Sequence, residues 1–213
     1  MNFFGHAAVA SWSTAEPGAV LGAMLPDLAT MSGGRIQSAD DAAVEAGIAL
    51  HHRTDAAFHQ LPVVLGLMRE LDHALSERHC ARGPRRAVAH IGVELLLDGV
   101  LTDEPPYRTA YLAGLAHEPS LVWRDADEAA RFAFVLERLR TRGVPEDLKR
   151  PDAITTRLSR ILAHRPLLAP SPDDLRAIHA ALVAFQPRID VSADTVMRAM
   201  RAALENRAPP AAG

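Results

Sequence analysis

From Val44 through Ile48, His51, Asp55 and His59, side chains recur at steps of three or four residues. A helix across Ser38–Pro62 therefore stacks them along one face. The first part of that face is apolar; the second carries two imidazoles and a carboxylate. Burying such groups is costly unless they are paired, hydrogen-bonded or bound to a metal. The stretch must therefore be a helix with a satisfied polar seam, either a metal site or a histidine-rich but inert face. Ser38 is the expected N-cap, with Asp41 three residues on, and Pro62 marks the far boundary.

Helical spacing recurs along the rest of the chain. Aromatic residues are only 5%, and no run of alternating β-branched residues marks a strand, so an all-α fold is expected. MNFFGHAAVASWS reads as a short apolar helix or arm carrying His6, and AVLGAMLPDLATM as a second helix with Asp27 after Pro26. Val64, Met68, Leu71 and Leu75 stripe the helix after Pro62. Further helices are expected over 107–117, 125–142, 152–164, 173–185 and 192–206. Phe132, Phe134, Val135 and Leu139 read as core, as do Ile154, Leu158, Ile161 and Leu162. No repeat or linker interrupts the pattern, so one helical domain over 1–206 with a tail at 207–213 is expected.

A net charge of -3, with Lys149 the only lysine, gives no reason to expect nucleic acid as a partner. Cys80 is the only cysteine, which suits a reducing cytosol. The first basic residue is Arg35, and no apolar run approaches the roughly 20 residues that span a bilayer, so a cytoplasmic protein without membrane contact is expected.

A second row of ligand-type side chains follows Gly83-Pro84, where His90, Glu94 and Asp98 sit at i, i+4 and i+8 on one helix face. Nitrogen and oxygen donors of this kind suit Mn²⁺, Fe²⁺, Mg²⁺ or Zn²⁺. Such ions favour hydrolysis of phosphate esters, because they acidify water and offset developing charge. No GxSxG, Walker A, HExxH or CxxC pattern suggests another chemistry. Each residue also has a plainer reading. His6 is a packed histidine or a ligand, Asp27 caps a turn or ligates, and His51 with Asp55 is a local hydrogen-bonded pair or half a site. Glu94 and Asp98 are a solvated edge or ligands. His59 and His90 lie a turn from these and orient them or replace them. His52 and Arg53 lie off the line and face substrate or solvent. His73 and His79 read as solvated, and His117, His164 and His179 as structural or exposed.

The ordered segments MNFFGH, GAMLPD at 22–27, GIALHHRTDAAFHQLP at 47–62 and the Glu94/Asp98 helix resemble the acyl carrier protein phosphodiesterases, HD-like metal phosphohydrolases. LSRILAHRP at 158–166 and FQPRI at 185–189 extend the likeness; 103–150 is its weakest part. The resemblance implies an all-helical Mn²⁺-dependent enzyme, with Mg²⁺ or Fe²⁺ as substitutes. It would remove 4′-phosphopantetheine from the serine of holo acyl carrier protein. His6, Asp27, His51, Asp55 and Asp98 would line its metal site, with Glu94 in place of an aspartate and His90 as a further candidate. His52 stands where the family has arginine, His59 where it has aspartate and Gly99 where it has histidine. His59 or His90 would then supply the missing imidazole, and His52 or His59 would protonate the leaving group. Docking an acidic carrier protein calls for a basic patch, Arg82, Arg85 and Arg86, or alternatively Arg138, Arg140 and Arg142. The rivals are a hydrolase of a small phosphoester such as a nucleotide, and a catalytically silent binding module of the same fold.

Overall fold

A computed structural model describes residues 1–206; the expected tail at 207–213 lies outside them. In chain order the helices are α1 (Phe3–Ala10), α2 (Pro17–Ser32), α3 (Ala42–Phe58), α4 (Pro62–Glu77), α5 (Arg82–Leu101) and α6 (Pro105–Ala116). Then come α7 (Ala126–Arg142), a 3-10 turn (Glu146–Lys149), α8 (Pro151–Leu162), α9 (Pro172–Asp190) and α10 (Ala193–Glu205). The fold is all-α. Proline at the first turn of α2, α4, α6, α8 and α9 places its missing N–H where no helical bond is made.

The only sheet among the described residues pairs β1 (Ile36–Ala39) with β2 (Leu121–Trp123) in antiparallel register, Ile36 opposite Trp123 and Ala39 opposite Leu121. It corrects the expected start of the central helix, because Ser38 lies in β1. The helix begins at Ala42, and Asp41 Oδ1 accepts the Ala43 N–H at 2.8 Å. Strands this short carry no readable alternation; each exists because the other supplies its hydrogen bonds.

The described residues group into two compact units: Met1–Ala57 with Leu101–Pro145, and Phe58–Val100 with the described residues from Glu146 onward. In the first unit α1 is buried on every side, and Phe3 and Phe4 pack on Tyr111 with ring centroids 6.1 and 5.1 Å apart. Helices α2 and α3 cross at a glycine pair. A Cβ on Gly47 would strike the Ala19 carbonyl oxygen and lie 2.7 Å from Gly22 Cα, so neither helix tolerates a side chain there. In the second unit Val64, Leu71 and Leu75 of the α4 stripe are buried as expected, but Leu67 is buried where Met68 was expected and Met68 is only half-buried; α9 adds Ile178, Leu182 and Ile189. Three residues expected in the core lie outside it. Phe134 is 63% exposed, Ile161 40% exposed and Val135 half-buried, because the buried stripes of α7 and α8 run instead through Phe132, Leu136 and Leu139, and through Ile154, Leu158 and Leu162.

Candidate metal centres

In the first unit, α1, α2 and α3 each contribute one member of a cluster. The donor atoms of His6, Asp27 and His51 all lie within 4.8 Å of one another. The glycine crossing sets this geometry: with α3 close against α2, His51 Nδ1 reaches the Ala23 carbonyl oxygen at 2.9 Å. A carbonyl only accepts, so Nδ1 carries the proton and a neutral His51 keeps a lone pair on Nε2. His6 is anchored in the same way, its Nε2 donating to the Met1 carbonyl oxygen at 3.0 Å. Its Nδ1 is then the lone pair, and that atom is buried with no hydrogen-bond partner among the described residues. The two rings stack with centroids 3.9 Å apart.

Charge favours the neutral rings. Burial pushes the His6 pKa well below its ordinary value, and the neighbouring His51 and the Met1 amino group push it the same way. Burial also lowers the pKa of His51, against the opposing pull of the Ala23 carbonyl and Asp55. Asp27 Oδ2 stands 4.0 Å from His6 Nε2, and Asp55 Oδ1 accepts from the Met1 amino group at 3.0 Å. Two buried imidazoles, each tied to a backbone carbonyl, and a carboxylate, with donor atoms within 4.8 Å of one another, are ligand types that fit Mn²⁺, Fe²⁺ or Zn²⁺. His52 is exposed and meets His51 edge-on at 5.4 Å, and Arg53 is also exposed.

In the second unit, His59, just past the end of α3, meets His90 and Glu94 of α5. His59 Nε2 lies 2.9 Å from His90 Nε2 and 3.1 Å from Glu94 Oε1, and the third side, His90 to Glu94, measures 3.0 Å. Burial alone would raise the Glu94 pKa, but the hydrogen bonds from His59 and His90 outweigh it and hold the carboxylate well below its usual range. Asp98, one turn on, is fully buried.

Gly99 has a packing reason. A Cβ there would strike the Leu148 carbonyl oxygen and lie 2.8 Å from Leu148 C, so α5 meets the 3-10 turn at a point where a histidine has no room.

Among the arginines expected to dock a partner, Arg82 and Arg86 are exposed. Arg85 is committed to Asp72 at 3.0 Å and to Ser76 Oγ at 2.7 Å. Arg140 is likewise committed, to the Leu115 and His117 carbonyls and to Glu118. His117 reads from sequence as structural or exposed. The fold brings its Nε2 within 3.1 Å of Asp41 Oδ2, a pairing across 76 residues that local spacing does not signal. His73, His79, His164 and His179 are exposed.

No helix among the described residues is long and apolar enough to cross a membrane. No protein-family model, curated protein or solved structure matches the chain.

Proposed function

We propose that the chain is a metal-dependent phosphodiester hydrolase of the acyl carrier protein phosphodiesterase type, which removes 4′-phosphopantetheine from holo acyl carrier protein. One observation supports this above the others. His6 and His51 are two buried imidazoles, each tied by one N–H to a backbone carbonyl and each left with a lone pair, beside Asp27. An inert histidine face would satisfy both nitrogens; His6 Nδ1 has no hydrogen-bond partner among the described residues.

His6, Asp27 and His51 would hold the ion, with Asp55 beside them. A divalent ion, Mn²⁺ foremost, supplies Lewis-acid charge against the developing negative charge on phosphate and acidifies water. The chain's own part is to keep His6 and His51 neutral and fixed in one tautomer, so that no reorganisation precedes binding. In the reaction, water oxygen bonds to phosphorus, the bond from phosphorus to the serine oxygen breaks, and that oxygen takes a proton. His52, exposed beside His51, would give it. Arg82 and Arg86, exposed at the start of α5, would meet an acidic carrier protein.

The test is incubation of the purified chain with holo acyl carrier protein and Mn²⁺, followed by intact-mass spectrometry. Loss of the phosphopantetheine mass, abolished in Asp27→Asn and His51→Ala, is the expected result. No mass loss with Mn²⁺, Mg²⁺ or Fe²⁺ confirmed bound would overturn the substrate assignment. Turnover of small phosphoesters without response to carrier protein would favour the small-substrate reading. Absence of bound metal would favour the silent module.

A further inference from the structure

We infer that His59, His90 and Glu94 form a binding site for a divalent ion of the zinc class, built from ligands other than His6, Asp27 and His51. The first ground is proton counting. The three donor atoms form a near-equilateral triangle with sides of 2.9, 3.1 and 3.0 Å. A hydrogen bond on every side would need three protons. Each Nε2 carries at most one and the ionised carboxylate carries none. At least one side is therefore a contact between two groups of like kind at hydrogen-bond distance. When both Nε2 atoms donate to Glu94, the two N–H groups face each other along the 2.9 Å side. One cation in place of the protons meets all three lone pairs at once.

The second ground is size. Zinc binds imidazole nitrogen and carboxylate oxygen at about 2.0–2.1 Å. An ion at that distance from atoms about 3 Å apart sits roughly 1 Å above their plane and sees them at angles of roughly 95°. These angles lie between those of octahedral and tetrahedral coordination and require little movement of the side chains.

Electrostatics and access agree. The Glu94 side chain is only 12% exposed, so its carboxylate is largely sheltered from water beside the two imidazoles. The His90 side chain is 50% exposed and lines an open groove of about 430 Å³, together with Met68, Arg69 and Arg86, so an ion enters from solvent. Three protein ligands leave a coordination position for water or a ligand from that groove. Two imidazoles with one carboxylate favour Zn²⁺, Co²⁺ or Ni²⁺ over Mg²⁺ or Ca²⁺. The inference does not rest on the phosphodiesterase reading.

The test is calorimetric titration of Zn²⁺ into the chelator-stripped full chain, with Co²⁺ absorption spectra as the second readout. The wild type should show a zinc equivalent that weakens roughly 100-fold or more in Glu94→Gln and in His59→Ala/His90→Ala. Asp27→Asn should leave that equivalent unchanged. Should the double alanine variant lose helical circular dichroism, Glu94→Gln and long-range nitrogen spectra of the wild-type histidines decide. Zinc must then shift the Nε2 resonances of His59 and His90. No zinc uptake by the wild type, unchanged affinity in Glu94→Gln, or unmoved Nε2 resonances would overturn the inference. Zinc binding lost in Asp27→Asn and kept in Glu94→Gln would overturn it while leaving the His6 centre standing.

Discussion

Replacing Gly47 with alanine sets two physical effects against each other, and the structure says which wins. On helix propensity alone, alanine in place of a mid-helix glycine stabilises by about 1 kcal/mol. At the α2–α3 crossing, however, the new Cβ would lie 2.7 Å from Gly22 Cα and 2.8 Å from Ala23 N. Non-bonded carbon contacts settle at about 3.5–4.0 Å, so the helices must part by roughly 1 Å. The His51 Nδ1 bond to the Ala23 carbonyl, now 2.9 Å, then passes out of hydrogen-bonding range. Overpacking costs about 1–3 kcal/mol, and the lost hydrogen bond about 1 kcal/mol. The net change is a destabilisation of about 1–3 kcal/mol, which lowers Tm by about 3–10 °C in a chain of this length. Thermal unfolding followed by circular dichroism reads it directly. Gly66, mid-way along α4, has nothing within 4 Å of where a Cβ would stand, so Gly66→Ala is the control and should stabilise by about 0.5–1 kcal/mol. A Gly47→Ala Tm equal to or above that of the wild type would refute the packing argument and its account of how His51 is held.

Gly99→Ala should destabilise through the Leu148 carbonyl by about 1–3 kcal/mol, and Gly99→His should destabilise more and bind no additional metal; denaturant titration and metal analysis check both. Burial, with the Asp174 carboxylate adding to it, pushes the Cys80 thiol up to about 12, so iodoacetamide at pH 8 should leave it unmodified until the chain is unfolded. Asp174 caps α9 and also accepts the Ala81 N–H at 2.7 Å, so Asp174→Ala should cost about 2 kcal/mol at neutral pH by chemical denaturation. Burial raises the Asp174 pKa, but its hydrogen bonds lower it further, so the folded value lies below the unfolded one. The carboxylate's contribution is complete above the unfolded value near 3.9 and is lost as pH falls through the folded value. The gap between wild type and Asp174→Ala should therefore narrow below about pH 4.

Helices, their approximate bounds and their all-α assembly were legible in the sequence, because a 3.6-residue period is a local property that each segment carries by itself. The same period put His51 with Asp55 and His90 with Glu94 on their faces. It could not say where a helix stops when the competitor is a distant strand, so Ser38 went to β1 and Asp41 took the cap. Nor could it separate adjacent apolar residues on α7, where Phe132 is buried and Phe134 exposed, since neighbouring stripes differ only in what they meet. For the centres, sequence determined the ligand types and their phase. Tertiary structure alone decided which of them converge, because that depends on helix crossings such as Gly22 against Gly47. It turned His59 to His90 and Glu94, and it set the tautomers of His6 and His51 through two backbone carbonyls that no side-chain pattern records.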